Sequence, residues 1–139
     1  MLKKKKIKNI SNLKGKYPGI KFNSVLGSDG SGVVLEVGDP KYSHLIGKNV
    51  MINPSVGWED SLHGPTDLSY GILGLLPLPG TFADIISVPA SLVYEVPHHL
   101  TMEQAAALPL AGLTAYRAVV TKGNVQQGSN VLVTGIGLI

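Results

Sequence analysis

Glycine and proline interrupt the apolar runs of this chain, and their positions constrain the fold more than any other feature. The 139 residues include 17 glycines and 9 prolines. Short runs rich in β-branched residues lie at 33–37, 49–53, 81–88 and 92–96, each followed directly by Gly or Pro. Runs of this kind indicate short strands. The first hundred residues are therefore predicted to form a mainly β domain, a small sandwich or barrel.

The composition favours a globular chain. A hydrophobic content of 44% is sufficient for a packed core. No apolar stretch approaches the roughly 18 to 20 residues that a membrane-spanning helix needs, so no membrane role is expected. The chain has no cysteine and no apolar signal segment, which argues against secretion and disulfides. A cytoplasmic location is therefore expected.

The formal net charge of +3 comes from the start of the chain. Five of the twelve Lys and Arg residues lie in the first eight positions, and the other seven are outnumbered by nine Asp and Glu. A nucleic-acid-binding protein needs a basic face on its folded part, so no nucleic-acid partner is expected. Residues 1–13 are interpreted as a basic, disordered start rather than as a binding segment.

The pattern changes from strand to helix after Leu100. Thr101 and Gln104 fit a capping box, in which each side chain accepts a hydrogen bond from the backbone amide of the other residue. Residues 105–121 are rich in helix-forming residues. Pro109 and Gly112 are expected to divide them into two helices, and Gly123 is expected to end the second.

An apolar run at 131–133 is followed directly by Thr134, Gly135, Ile136 and Gly137. Such a run is typical of a strand buried on both faces. A buried strand that leads into Gly-x-Gly opens many dinucleotide-binding folds, where the first glycine allows a tight turn and the second lets the backbone approach a pyrophosphate. An ordinary glycine turn is the alternative interpretation.

Three segments, in the same order, carry a family resemblance. They are 27–38 with the sequence GSDGSGVVLEVG, 80–89 with GTFADIISVP, and 100–117 with LTMEQAAALPLAGLTAYR. Together with 131–135 they resemble the zinc-free alcohol dehydrogenase-like and quinone oxidoreductase-like members of the medium-chain dehydrogenase/reductase superfamily. The resemblance implies a GroES-like, partly open β-barrel followed by junction helices and the first strand of a Rossmann domain.

The resemblance also implies a domain organisation and a function. Residues 14–100 would form the GroES-like domain, incomplete at its front, and 101–139 the junction helices and the start of a truncated Rossmann domain. The implied reaction is hydride transfer between NADPH, or NADH, and a carbonyl, quinone or activated alkene in the cleft between the domains. A small-molecule substrate is the expected partner, with a homodimer in the full-length parent.

The resemblance implies roles for individual residues. Thr114 corresponds to a residue near the nicotinamide, while Thr134, Gly135 and Gly137 correspond to the phosphate loop. Tyr116 and Arg117 belong to the same motif as Thr114, but a packing tyrosine and a surface or junction arginine are equally compatible with their positions.

No metal site is expected. Zinc-dependent relatives carry Gly-His-Glu where this chain has Gly27, Ser28 and Asp29, and Leu110 stands near the position of a ligating cysteine. The segment 54–79 lacks the four cysteines of a structural zinc site. The chain's histidines also match no metal-binding spacing. They are His44, His63, His98 and His99.

Two further residues are candidates for contact with a substrate. Ser28 replaces a zinc ligand, so it could donate a hydrogen bond to the substrate oxygen, or it could simply satisfy a backbone turn. Trp58 could line the substrate pocket or could fill the long loop around it.

The match leaves part of the family pattern without a counterpart. No helix follows Gly137, and family members are much longer than 139 residues. The chain is therefore expected to be an inactive fragment that binds NADPH weakly or not at all. The alternative hypothesis is a noncatalytic GroES-like β-domain that acts as an interaction module.

Overall fold

The computed structural model describes residues 2–3, 23–58, 61–65, 69–75 and 77–135. Over these ranges the chain forms short strands followed by one long helix, as the mainly β fold class requires. The strands are β1 (Leu2–Lys3), β2 (Ser31–Val33), β3 (Asn49–Ile52), β4 (Ser55–Val56), β5 (Gly71–Ile72), β6 (Ile85–Ile86) and β7 (Val93–Glu95). The helices are α1 (Met102–Tyr116), two 3-10 turns (Pro40–Leu45 and Ala90–Leu92) and a π-helical turn (Arg117–Lys122).

The central sheet contains three antiparallel strands in the order β2, β3, β7. In the middle strand, Val50 lies opposite Gly32 on one side and Glu95 on the other. Val50 and Ile52 are fully buried, whereas Met51 between them is half-buried. This alternation is expected of a strand whose two faces meet different surroundings. The buried core around the sheet consists of Val34, Leu45, Val50, Ile52, Leu73 and Leu92.

The strands predicted at 49–53 and 92–96 are present, but the other two are shorter than expected. The run 33–37 contributes only Val33 to β2, because the partner strand β3 begins at Asn49; Val34 still exchanges backbone hydrogen bonds with Gly47 and Lys48. The run 81–88 forms a strand only at Ile85–Ile86. Residues 80–82 instead donate backbone hydrogen bonds of 2.7 Å to the carbonyls of 25–27.

The backbone of Leu2 and Lys3 pairs antiparallel with β6, opposite Ile86 and Ile85. These two residues lie within the segment predicted to be a disordered start, and the structure places them in a strand. The physical reason is that an edge strand presents N–H and C=O groups to any segment that reaches it. The other residues predicted to be disordered lie outside the described residues.

Helix α1 begins as predicted. Thr101 Oγ1 accepts from the Gln104 amide at 3.3 Å, and Gln104 Oε1 accepts from the Thr101 amide at 2.9 Å, which completes the capping box. Ser31 Oγ donates to the Met102 carbonyl at 2.6 Å and so connects the first turn of the helix to β2. Ala105 and Ala106 are buried. The start of α1 is therefore attached to the central sheet.

The prediction of two helices is wrong. α1 runs through both Pro109 and Gly112, continues into the π-helical turn and is capped by Gly123, as expected for its end. A proline inside a helix removes one amide donor and crowds the preceding turn. Here the next amide, that of Leu110, donates to Asp29 Oδ1 at 2.8 Å. A tertiary contact thus satisfies a donor beside the proline, and the helix continues.

We expect Thr101→Ala to lower the free energy of unfolding by about 1 kcal/mol, because the Gln104 amide loses its capping acceptor. Urea denaturation followed by circular dichroism would measure the change. Ser87→Ala, which removes a hydroxyl at an exposed position outside the helix, is the control and should stay within about 0.5 kcal/mol of the parent. Equal stability of the two variants would contradict the role of the cap.

Residues 131–133 do not form the predicted strand. Val131, Leu132 and Val133 are 51%, 87% and 60% exposed. A parallel strand needs neighbours on both sides, and no strand within the described residues pairs with this segment. Gly135 has a φ of 73°, the left-handed region in which glycine is favoured.

None of the helices in the described ranges has the length and apolarity needed to cross a bilayer.

Candidate functional site

A cleft of about 280 Å³ lies between the second half of α1 and the loops around β4 and β5. Two residues singled out in the sequence, Trp58 and Thr114, both line it. Thr114 is exposed on the helix, and Trp58 is half-buried in the loop after β4. The fold therefore brings together two candidate residues that are distant in sequence. The other polar and aromatic lining residues are Asn53, Ser55, Ser61, Tyr70, Tyr116, Arg117 and Thr121.

The Trp58 ring is held by two contacts within its own loop region. Its Nε1 donates to the Ser61 carbonyl at 2.7 Å. Its ring meets that of Tyr70 edge to face, with centroids 5.6 Å apart and an interplanar angle of 83°. Edge-to-face packing is a favourable geometry for aromatic pairs. Because its N–H group already has an acceptor, Trp58 presents mainly an apolar surface to the cleft.

Arg117 connects α1 to this loop. Its two terminal nitrogens donate to the carbonyls of Leu62 and His63 at 2.7 and 2.8 Å. Its guanidinium carbon lies 4.5 Å from the centre of the Trp58 ring. The sequence left Arg117 open between a direct ligand and a surface or junction residue, and the structure places its guanidinium against the loop that carries Trp58. The signal was its position three residues after Thr114, which puts both residues on the same face of the helix.

Ser28 lies in a tightly constrained loop beside this helix. The Gly27 carbonyl accepts from the Thr81 amide at 2.7 Å, and the Asp29 carbonyl accepts from Thr81 Oγ1 at 2.6 Å. Ser28 itself is half-buried. Its neighbour Asp29 binds the amide of Leu110, a residue that lines the cleft. Hydrogen bonds on both sides thus fix the backbone of Ser28 beside the cleft helix, but Ser28 itself does not line the cleft.

Replacing Asp29 by alanine should lower the free energy of unfolding by about 1.5–3 kcal/mol, because the hydrogen bond from the Leu110 amide to a charged acceptor is lost. Asp29→Asn keeps an acceptor oxygen and should recover part of this loss. Asp84→Ala at an exposed position is the control and should stay within about 0.5 kcal/mol. Thermal melts of the three variants would suffice, and equal melting of Asp29→Ala and Asp84→Ala would contradict the contact.

The residues predicted for the phosphate loop do not line this cleft. Thr134 and Gly135 lie in the exposed segment after α1, and the cleft is lined by residues of α1, the π-helical turn and the loops around β4 and β5. Gly137 lies outside the described residues. The structure therefore joins Thr114 with Trp58 but does not join either of them with Thr134 or Gly135.

The described residues contain no group of three or more His, Cys, Asp or Glu side chains placed to hold a metal ion. At the zinc-ligand positions of the resemblance stand Ser28, which offers a hydroxyl, and Leu110, which offers no donor atom. Zinc prefers thiolate, imidazole and carboxylate ligands in a tetrahedral set. These positions do not fit zinc.

A shifted pKa occurs elsewhere, at Lys41, where a hydrogen bond to the Asp39 carboxylate raises the pKa of the exposed amine.

Comparison with known proteins identifies the family. Residues 5–98 match the family described as the alcohol dehydrogenase GroES-like domain. The chain belongs to the medium-chain dehydrogenase/reductase superfamily. The match confirms the GroES-like fold class, and it starts before residue 14, where the sequence suggested that the domain begins. A crystal structure of an NAD-dependent alcohol dehydrogenase superposes with a TM-score of 0.74 at 32% identity, covering 91% of this chain and 39% of that one.

Members of the superfamily that resemble this chain include several curated proteins. The zinc-type alcohol dehydrogenase-like protein YogA of Leptosphaeria maculans is 43% identical over 129 residues, which cover 87% of this chain and 36% of that protein. A crotonyl-CoA carboxylase/reductase of Cereibacter sphaeroides is 34% identical over 118 residues, which cover 80% and 27%. The chain thus spans about a third of the length of these relatives.

Proposed function

We propose that the protein is an oxidoreductase that transfers hydride between NADPH, or NADH, and a carbonyl, quinone or activated alkene. Its membership of the superfamily supports this reaction class. The observation that carries the proposal is the shared cleft of Trp58 and Thr114. In it, a residue expected near the nicotinamide faces one expected near the substrate. The cleft volume of about 280 Å³ lies near the lower end of the range of about 300–1,000 Å³ that is typical of small-molecule sites.

The residues of the chain would orient the cofactor and shield its reaction from water. The cofactor, when bound, supplies the hydride. The Thr114 hydroxyl, exposed on α1, is free to face the nicotinamide. Gly135 has a left-handed φ, which tight turns often require and glycine readily adopts, and Thr134 and Gly137 flank it in the sequence. We assign these three residues to the phosphates, which backbone amides of a glycine turn can bind.

We propose that the reaction proceeds without zinc. Because Ser28 and Leu110 stand at the ligand positions, charge developing on the substrate oxygen needs a hydrogen-bond donor instead of a metal. The Ser28 hydroxyl is the candidate, since the hydrogen bonds of Gly27 and Asp29 fix its backbone beside the helix. A donor held in place before the reaction stabilises such charge without reorganisation. Trp58 would form the apolar wall of the substrate pocket.

The proposal includes a cytoplasmic location and a homodimer. The absence of cysteine from these 139 residues is consistent with a reducing compartment.

The isolated 139-residue polypeptide should bind NADPH weakly or not at all. Its segment 131–133 exposes apolar side chains and has no strand partner among the described residues. A cofactor domain built on that segment would need further strands.

A second candidate function is a noncatalytic interaction module. It is favoured by an apolar groove of about 450 Å³ between the central sheet and α1. The groove includes Met51, Tyr94, Leu108 and Leu113, and the last three are substantially exposed. Exposed apolar surface of this kind often marks a protein contact. Both functions use the same fold, so an activity measurement distinguishes them.

The test of the proposed function uses the protein as it occurs in the cell. We expect oxidation of NADPH or NADH with aldehyde, quinone and enone substrates, followed by loss of the reduced nicotinamide absorbance. A chelator should leave the rate unchanged, and metal analysis should find no stoichiometric zinc. If none of the three substrate classes is turned over, the result would favour the interaction module. Loss of activity on chelation would overturn the zinc-free mechanism.

For the isolated 139-residue polypeptide, we expect calorimetric titration with NADPH to give no saturable heat in the micromolar range. The physical reason is the unpaired apolar segment 131–133. The protein as it occurs in the cell is the positive control in the same buffer. Micromolar binding by the isolated polypeptide would contradict this expectation.

A further inference from the structure

The loop that carries Trp58 is attached to the cleft helix through one end of the Arg117 side chain. The guanidinium of Arg117 makes three contacts with this loop: hydrogen bonds to the carbonyls of Leu62 and His63, and a stacked position over the Trp58 ring. Lys122 Nζ adds a longer contact of 3.4 Å to the His63 carbonyl. Leu62 and His63 lie 55 and 54 positions before Arg117 in the sequence.

The geometry requires arginine chemistry. A guanidinium is planar, so its edge can donate to two carbonyls while its face lies on an aromatic ring. A lysine ammonium is a point charge that can occupy either position but cannot fill both. The cation over the Trp58 ring is also attracted by the negative face of the π system. One side chain therefore fixes both the backbone of the loop and the orientation of the ring.

The position of Arg117 on the helix links the loop to Thr114. Arg117 opens the π-helical turn that follows α1 directly, and Thr114 lies three residues earlier on the same face. π-helical turns recur at functional sites in proteins. Trp58, Thr114 and Arg117 all line the cleft, so the contact between Arg117 and the Trp58 ring lies at the cleft itself.

We propose that Arg117 is a positioning residue, which holds the Trp58 ring as the wall of the cleft opposite Thr114 and so sets the width available to the substrate. The positioning itself rests on the three contacts of the guanidinium. Only the statement that the molecule in the cleft is the substrate rests on the proposed function. Leu62 and His63 take part in the contact through their backbone carbonyls, which accept the two hydrogen bonds of Arg117.

Intrinsic fluorescence of the 139-residue polypeptide tests directly whether Arg117 positions the Trp58 ring, because Trp58 is its single tryptophan. Arg117→Met keeps a long apolar side chain but removes the charge and the donors, and Arg117→Lys keeps the charge alone. We expect acrylamide to quench Trp58 more strongly in Arg117→Met than in the parent, with Arg117→Lys in between. Lys41→Met removes a positive charge at an exposed position outside the cleft and should leave quenching unchanged.

Hydrogen exchange gives a second readout that needs no activity. Amides of residues 61–64 should exchange about tenfold faster in Arg117→Met, the factor that corresponds to loss of one hydrogen bond to a charged donor. Amides of the central sheet should keep their exchange rates. If Arg117→Met does not fold, the same comparison is made with Arg117→Lys. Unchanged quenching and unchanged exchange in a folded variant would overturn the proposal.

Steady-state kinetics of the protein as it occurs in the cell tests the consequence for the substrate. We expect Arg117→Met to raise the KM for the substrate about tenfold or more, while kcat changes less, because positioning the wall affects binding more than the hydride step. A changed Trp58 environment with an unchanged KM would overturn the assignment of the wall to the substrate. If the parent has no activity, the proposed function fails, while fluorescence still decides the positioning.

Discussion

Replacing Gly80 by alanine should destabilise the protein by about 3 kcal/mol or more, because a methyl group at this position overlaps the backbone of another segment. An ideal Cβ on Gly80 would overlap the backbone carbonyl group of Leu26. Flexible side chains could move away, but this backbone is held by the hydrogen bonds between 80–82 and 25–27. Relief of the overlap therefore requires these bonds to break.

The control for Gly80→Ala is Gly38→Ala. Apart from its two chain neighbours, the part of the chain that the structure describes has no atom within 4 Å of a Cβ built on Gly38, and the φ of Gly38 is outside the left-handed region. The change in stability there should stay within about 0.5 kcal/mol, and it could be slightly favourable because alanine restricts the unfolded chain. Chemical denaturation of both variants measures the difference. Equal stabilities would show that the two segments are not in close contact.

The Gly80 variant has a second expected consequence, because the segment that it displaces leads into Ser28. Residues 25–27 precede the candidate donor directly. If the variant still folds, its activity should decrease more than its stability alone explains. The measurement is kcat at a temperature where circular dichroism shows the variant to be fully folded. Full activity under those conditions would argue against a role for Ser28 that depends on its position.

Leu92→Ala should lower the free energy of unfolding by about 2–5 kcal/mol, because the truncation leaves a cavity in the middle of the core. Leu92 is 0% exposed and belongs to the core cluster with Val50 and Ile52. Its carbonyl also accepts from the Asn53 amide at 2.8 Å, which connects the end of β3 to the segment before β7. Collapse of the cavity would disturb that connection as well.

The matched control for Leu92→Ala is Leu62→Ala. The Leu62 side chain is 77% exposed, so little apolar area returns to water when it is shortened, and the change should stay within about 0.5 kcal/mol. Differential scanning calorimetry of the two variants gives both melting temperature and enthalpy. A loss of less than about 1 kcal/mol in Leu92→Ala would mean that the core tolerates the cavity by rearranging.

Local patterns predicted the elements that depend on neighbouring residues. The cap of α1 was predictable because Thr101 and Gln104 lie three positions apart and need no partner from elsewhere. β3 was predictable because its short apolar run lies between Gly47 and Pro54 in the sequence itself. The helical break at Pro109 was predicted from the same kind of rule and was wrong, because the acceptor that serves Leu110 lies 81 positions away, on Asp29.

The candidate site shows the same difference between what local patterns predict and what depends on contacts between distant segments. Thr114 and Trp58 could be singled out from the family resemblance and from the long loop, but nothing in their separate patterns predicted that they face one cleft. Arg117 remained an unassigned junction residue, because its partners are backbone carbonyls, which every sequence contains. A role that uses backbone atoms of a distant loop leaves no signature in residue types.

The amino-acid sequence by itself determined the family, the mainly β fold class and the start of the helix, since these follow from local spacing and from motifs that can be read in order. Only the tertiary structure decided which loops meet. It placed the guanidinium of Arg117 over the ring of Trp58 and the carboxylate of Asp29 beside Pro109. The physical reason is that contacts between distant segments depend on the packing of the whole core, to which each residue contributes only part of the free energy.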